Sequence, residues 1–196
     1  MKSFTLSLLL TFGLICSAWA GTGQRVIIDA GHGGKDRGAI WGGVHEATLN
    51  LRVATMLEKE LKKSGIKVTM TRRSDIFISL AKRAEIANRY RKAHFVSIHF
   101  NAFTDRRVTG VETFFAGKAG YPLARNIHRE FSRSIKIKNR GLRYRPFAVL
   151  TKTRHPAALI ECGYISNSRE RARCNTTSFQ SAAAKAIARG IVKTVK

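Results

Sequence analysis

Three apolar runs in this chain lead into residues that can bind a metal or move a proton. Arg25-Val26-Ile27-Ile28-Asp29 reads as a buried strand entering a Gly-rich loop, Ala30 to Gly34, that contains His32. Phe95-Val96-Ser97-Ile98 is followed by His99, and Ala157-Ala158-Leu159-Ile160 by Glu161. Ligands bind beyond the carboxyl ends of the strands in open α/β sheets, so these segments deliver two imidazoles and a carboxylate to one sheet edge. A second carboxylate, Glu46, lies in the loop before the first helical pattern. Two imidazoles and a carboxylate suit a catalytic zinc, which takes three protein ligands and keeps one position for water. The carboxylate left off the metal can then act as general base and acid.

Each piece alone is weak, because a histidine after a Gly-rich turn is more often a polar loop residue. His45-Glu46 does not open a His-Glu-x-x-His motif, since Leu49 stands at the second histidine position. Gly31 to Asp36 is not a dinucleotide loop, because Asp36 replaces the third glycine, and the Walker spacing is missing.

The elements that must position these residues follow from periodicity. Leu49, Val53, Met56, Leu57 and Leu61 recur at helical spacing before the stop at Gly65. Ile66 to Met70 is a strand. Leu80, Ala84, Ala87 and Tyr90 mark a second helix. Val111 to Phe115 is a strand, and Pro122 opens a helix through Ile127 and Phe131. Phe147 to Leu150 and Ala157 to Ile160 are read as further strands, and Ala182 to Val192 as the closing helix. The alternation predicts a single α/β domain: an open, twisted, mostly parallel sheet of about six strands, with helices on both faces.

The chain has 196 residues, with 36 Lys and Arg against 12 Asp and Glu, a formal charge of +24. That surplus predicts an anionic partner or surface. Arg133, Lys136, Lys138, Arg140, Arg143, Arg145, Lys152 and Arg154 occur with no acidic residue among them. No nucleic-acid motif accompanies the charge, so no specific nucleic-acid partner is expected. Lys2, the apolar run Leu6 to Ile15 and Ser17-Ala18-Trp19-Ala20 have the order of a cleavable secretion signal. Residues 1–20 are therefore read as a signal peptide and 21–196 as the working domain, secreted to the periplasm with no stable membrane anchor. Removal of Cys16 leaves Cys162 and Cys174, which an oxidising compartment permits to form one disulfide.

The motifs together resemble the zinc-dependent N-acetylmuramoyl-L-alanine amidases of the Amidase_3 type. Val26-Ile27-Ile28-Asp29-Ala30-Gly31-His32-Gly33-Gly34 is similar to their opening motif. Glu46 with Leu49-Asn50-Leu51, Thr71-Arg72 with Asp75, Ser97-Ile98-His99-Phe100-Asn101-Ala102, Gly110-Val111-Glu112-Thr113-Phe114-Phe115 and Ile160-Glu161-Cys162-Gly163-Tyr164-Ile165-Ser166-Asn167 follow in order. The resemblance implies that His32, Glu46 and His99 hold Zn2+ and that Glu161 is the catalytic glutamate. It implies cleavage of the amide between N-acetylmuramic acid and L-alanine in peptidoglycan, with the basic surface drawing the enzyme to anionic cell wall. Asn101 either orients substrate or the attacking water, or caps its loop. Glu112 either faces the cleft or solvent, and Arg83 is expected in an ion pair or as a loop anchor. Some exported members carry an inserted helix after the fourth strand that blocks the site until an activator displaces it. Only Ala116 to Tyr121 separate Phe115 from the next helix here, so no obligatory activator is expected. The competing classes are a catalytically inert wall-binding protein and a basic nucleic-acid binder.

Overall fold

Val26, Ile27 and Ile28 are all inaccessible to solvent, as a strand covered on both faces requires. They lie in β1 (Arg25–Ala30) of a computed structural model that describes residues 24–195. The expected signal segment 1–20, with Cys16, lies outside those residues.

The chain continues through a small hairpin, β2 (Ile40–Trp41) and β3 (Val44–His45), into α1 (Glu46–Lys63). Then come β4 (Lys67–Met70), α2 (Leu80–Asn88), β5 (Ala93–Asn101) and β6 (Val111–Phe115). A single 3-10 turn (Lys118–Gly120) leads to α3 (Tyr121–Ser134). β7 (Asn139–Tyr144), α4 (Ala148–Thr151), β8 (Ala157–Tyr164), α5 (Ser168–Cys174) and α6 (Thr177–Val195) complete it. Six strands form one sheet in the order β4-β1-β5-β8-β6-β7. β1 is parallel to β4 and β5, and β5 to β8. β6 runs antiparallel to β8 and parallel to β7. The sheet is thus mostly parallel, as expected.

Strand residues of alternate parity face opposite layers. Val26, Ile28, Val96, Ile98, Ala158 and Ile160 join the apolar sides of α1, α3 and α6 in the larger core. Ile27, Phe95, Leu159 and Phe114 join Ala87 of α2 and Val149 and Leu150 of α4 on the other face. Helices therefore cover both faces.

Three local expectations are corrected. Phe147–Leu150 is not a strand: Ala148–Thr151 forms α4, whose first turn closes through Thr151 N–H to Phe147 O. Val149 and Leu150, adjacent in sequence, are both buried, which a helical turn allows and a strand facing one layer does not. The sixth strand is instead β7, an edge strand whose side chains are half-buried or exposed. Glu46 is not in the loop but is the first residue of α1, where a carboxylate suits the positive end of the helix dipole. Cys162 and Cys174 are free, buried thiols, so the disulfide that the sequence permits is not formed in this structure.

Candidate metal centre and active site

Pairing across three adjacent strands aligns the candidate residues in one row. His99 of β5 is in register with Glu161 of β8, and Glu161 with Glu112 of β6. Directly paired residues project from the same face, with Cβ atoms about 5 Å apart. The β5–β8 register shifts between His99 and Asn101, a bulge of the kind that re-aims side chains beside a site.

His32 approaches from the β1 loop with φ +59°, a left-handed conformation that costs a non-glycine residue energy and persists only when neighbours enforce it. Two buried arginines do so. Arg83 donates to the carbonyls of Ala30 (2.7 Å) and His32 (2.8 Å) and pairs with Asp29 at 2.7 Å. Arg72 donates to the carbonyls of Ala30, Gly31 and Ala47. Asp29 also accepts from Thr71 and Ser97. Arg83 is thus the ion pair and loop anchor expected of it. Gly31 is required sterically, because a Cβ there would fall 2.2 Å from the His99 ring.

One donor atom each from His32, Glu46 and His99 lie within 4.8 Å of one another. Glu46 Oε1 stands 3.2 Å from His32 Nε2 and 2.8 Å from His99 Nδ1. Several further contacts orient the three side chains. His32 Nδ1 hydrogen-bonds Asp36 Oδ1 at 2.8 Å, which leaves Nε2 for the cluster. Glu46 Oε2 accepts from Ala39 N–H, and Asn50 Nδ2 donates to Oε1. A histidine oriented by a carboxylate on its other nitrogen is the usual support of a metal ligand. Burial disfavours the His32 imidazolium, yet Glu46 and then Asp36 outweigh it and raise its pKa to about 8. Burial likewise opposes ionisation of Glu46, but His32 and His99 hold it well below the usual carboxylate range. The cluster therefore favours positive charge between its donors, and its donor set fits zinc.

Glu161 lies beside this cluster, with Oε2 buried and without a hydrogen-bond partner. Burial first, then the charges of Glu46 and Glu112, raises its pKa well above the ordinary value. A carboxyl so placed holds a proton more readily than an exposed one. Glu112 faces inward, accepting from Tyr164 Oη at 2.5 Å and Asn101 Nδ2 at 3.3 Å. Asn101 Oδ1 accepts from Ala102 N–H, so its side chain caps the loop and holds Glu112.

Sequence reasoning missed Asp36, Tyr164, Arg140 and Arg143 as neighbours of the site. Asp36 could have been found from its four-residue spacing to His32. The others gave no signal, because pairing of β6 with β7 and β8 alone brings them together. His45, His94, His128 and His155 stand outside the metal cluster.

Comparison with known proteins accords with this geometry. The family model described as N-acetylmuramoyl-L-alanine amidase, Amidase_3, matches residues 26–193. The protein YqiI of Bacillus subtilis (strain 168) is 35% identical over 173 residues, 86% of this chain and 84% of that one. The sporulation-specific N-acetylmuramoyl-L-alanine amidase of the same organism is 33% identical over 172 residues, covering 85% of this chain and 66% of that relative. Among solved structures, the catalytic domain of the amidase CwlV from Bacillus (Paenibacillus) polymyxa var. colistinus superposes with a TM-score of 0.85 and 37% identity. The match covers 87% of this chain and 97% of that domain. The CwlD amidase from Clostridioides difficile, solved in complex with the GerS lipoprotein, gives 0.83 and 32%, covering 86% and 96%.

Proposed function

This chain belongs to the Amidase_3 family of N-acetylmuramoyl-L-alanine amidases and is a peptidoglycan amidase, and from that premise we propose that it works outside the cytoplasm as a zinc hydrolase. His32, Glu46 and His99 hold the ion, and the bond cut is the amide between the lactyl group of N-acetylmuramic acid and L-alanine. The observation that supports this reading best is the convergence of three donor atoms within 4.8 Å beside Glu161, whose strand pairing with His99 sets it next to them. Zinc, when bound, supplies a Lewis acid for the amide carbonyl and makes water more acidic.

The chain's own residues do the rest. Glu161 takes a proton from the attacking water and returns one to the departing alanine nitrogen, which would otherwise leave as an unstable anion. Asp36 fixes the His32 ring so that Nε2 faces the cluster. Asn101 serves the site through its hold on Glu112. The cleft works without an activator, because only the single turn Lys118–Gly120 separates β6 from α3.

Export is supported by the residues 1–20 pattern. Fractionation of the producing cells tests it, with cytoplasmic retention as the contrary outcome. The activity itself is tested by digesting purified peptidoglycan with the protein alone. The expected products are stem peptides with a free L-alanine amine, lost on chelation and restored by zinc. Soluble glycan fragments still carrying peptide, or activity only after a second protein is added, would contradict the reading.

A further inference from the structure

The row that contains Glu161 ends in a cluster of charge that proton transfer does not use. Glu112 is 6% exposed. Its Oε2 is taken by Tyr164 and Asn101. Its Oε1 faces Arg143 Nε at 3.3 Å and Arg140 Nε at 3.7 Å, both from edge strand β7. Arg140 also lies over the Tyr164 ring, 5.4 Å from its centroid. One carboxylate thus stands opposite two guanidinium groups, leaving a positive charge over. The Arg143 side chain is 49% exposed. It meets Glu112 through Nε, and among the described residues its η nitrogens make no hydrogen bond. Those nitrogens form the planar fork that suits a carboxylate.

The opposite side of the cleft has a different character. A cavity of about 280 Å³ beside His32 and His99 is lined by Phe77, Ile78, Leu80 and Val149. Its one arginine, Arg83, is engaged by Asp29 and by the carbonyls of Ala30, His32 and Ile78. A substrate carboxylate therefore finds the open η nitrogens of Arg143 on the β7 side, whereas the cavity's arginine is fully engaged and the cation nearest to it, Lys35, is exposed and lies over the Phe77 ring, 4.7 Å from its centroid. β7 lies two strand spacings from β8, roughly 10 Å from Glu161, the reach of about three residues of extended peptide.

We propose that Arg143, held by Glu112 and backed by Arg140, is a specificity-determining residue that binds a carboxylate of the stem peptide. The peptide then runs from the scissile amide toward β7, and the uncharged glycan side lies over the cavity by Phe77. This rests on the amidase reading above.

The test compares two synthetic muramoyl peptides, one with free peptide carboxylates and one with the same groups as primary amides. Wild type is expected to prefer the acidic substrate. R143Q should raise KM for it by about tenfold, leave kcat within about twofold, and bring the preference close to one, with R143K restoring part of it. Zinc content and the unfolding midpoint report whether the variant is intact. If wild type cuts and R143Q keeps the wild-type preference, the inference is overturned and the amidase reading stands. If zinc-loaded wild type leaves the muramoyl–alanine bond of both substrates intact, the amidase reading fails, and the inference with it.

Discussion

At the scale of single residues, the roles proposed for the ligand cluster and for Glu161 are separable. Glu161→Gln keeps the shape of the side chain but cannot accept the water proton, so turnover should fall by about 10²–10⁴ while zinc content, measured on the purified protein, stays at the wild-type level. Wild-type turnover would remove Glu161 from the proposed proton path. His99→Ala deletes a donor and should lose the metal; full occupancy in the same measurement would show that His99 is not a ligand. His32, His99 and Glu161 stood out in the sequence because each follows a recognisable apolar run, although β5 and β8 continue past His99 and Glu161. Glu46 was legible mainly through family resemblance, because nothing local says that the start of α1 folds back onto β5. Glu112 could not be resolved from sequence. An acid in an apolar strand is equally compatible with either face, and only the antiparallel pairing of β6 with β8 places it opposite Glu161.

The elements are held to the site by arginines rather than by apolar packing alone. Arg83→Met would leave Asp29 buried without its cation, and breaking such a pair costs about 3–5 kcal/mol. Denaturant unfolding should show that loss, together with weaker zinc retention, because Arg83 also holds the His32 carbonyl. An unchanged midpoint would contradict the anchor. Glu58 of α1 is tied to Arg73, after β4, by hydrogen bonds of 2.6 and 2.7 Å. Those bonds, against burial and aided by Lys62, lower its pKa from 4.5 to about 2. A depressed carboxylate contributes stability above the unfolded-state value of about 4.5 and loses it as pH falls through about 2. Glu58→Gln should therefore be less stable at neutral pH by about 1 kcal/mol, since Arg73 is largely exposed. The difference from wild type should shrink between about pH 4.5 and 2; a gap that stays constant across that range would rule out the linkage. Element types were readable where periodicity was long, as in α1. They failed at Phe147–Leu150, where four apolar residues do not separate strand from helical turn. They failed again at β7, whose Asn-Arg-Gly-Leu-Arg-Tyr carries no apolar alternation because it is a sheet edge, where charge also discourages pairing with another chain.

For the whole molecule, the mostly parallel sheet and its two-sided cover followed from strand–helix alternation, but the strand order and the antiparallel entry of β6 did not, since a sequence pattern carries neither neighbour nor strand direction. Net charge was legible directly, and the structure adds where part of it lies. Arg140 and Arg143 of β7 are partly neutralised by Glu112. Among the described residues, Lys136, Lys138, Arg145, Lys152 and Arg154 form no ion pair. Exposed cations of this kind interact with an anionic polymer over the Debye length, about 10 Å at 0.1 M salt and 3 Å at 1 M. If they bring the enzyme to the wall, binding of the zinc-loaded protein to intact sacculi should fall steeply across that range. Cleavage of a small, neutral muramoyl peptide should change far less, because that substrate needs no surface capture. Replacing Lys136, Lys138 and Arg145 together by Gln should lower sacculus binding at 0.1 M salt and flatten its salt dependence. Binding that is indifferent to salt in wild type would assign wall capture to contacts in the cleft itself rather than to the basic edge.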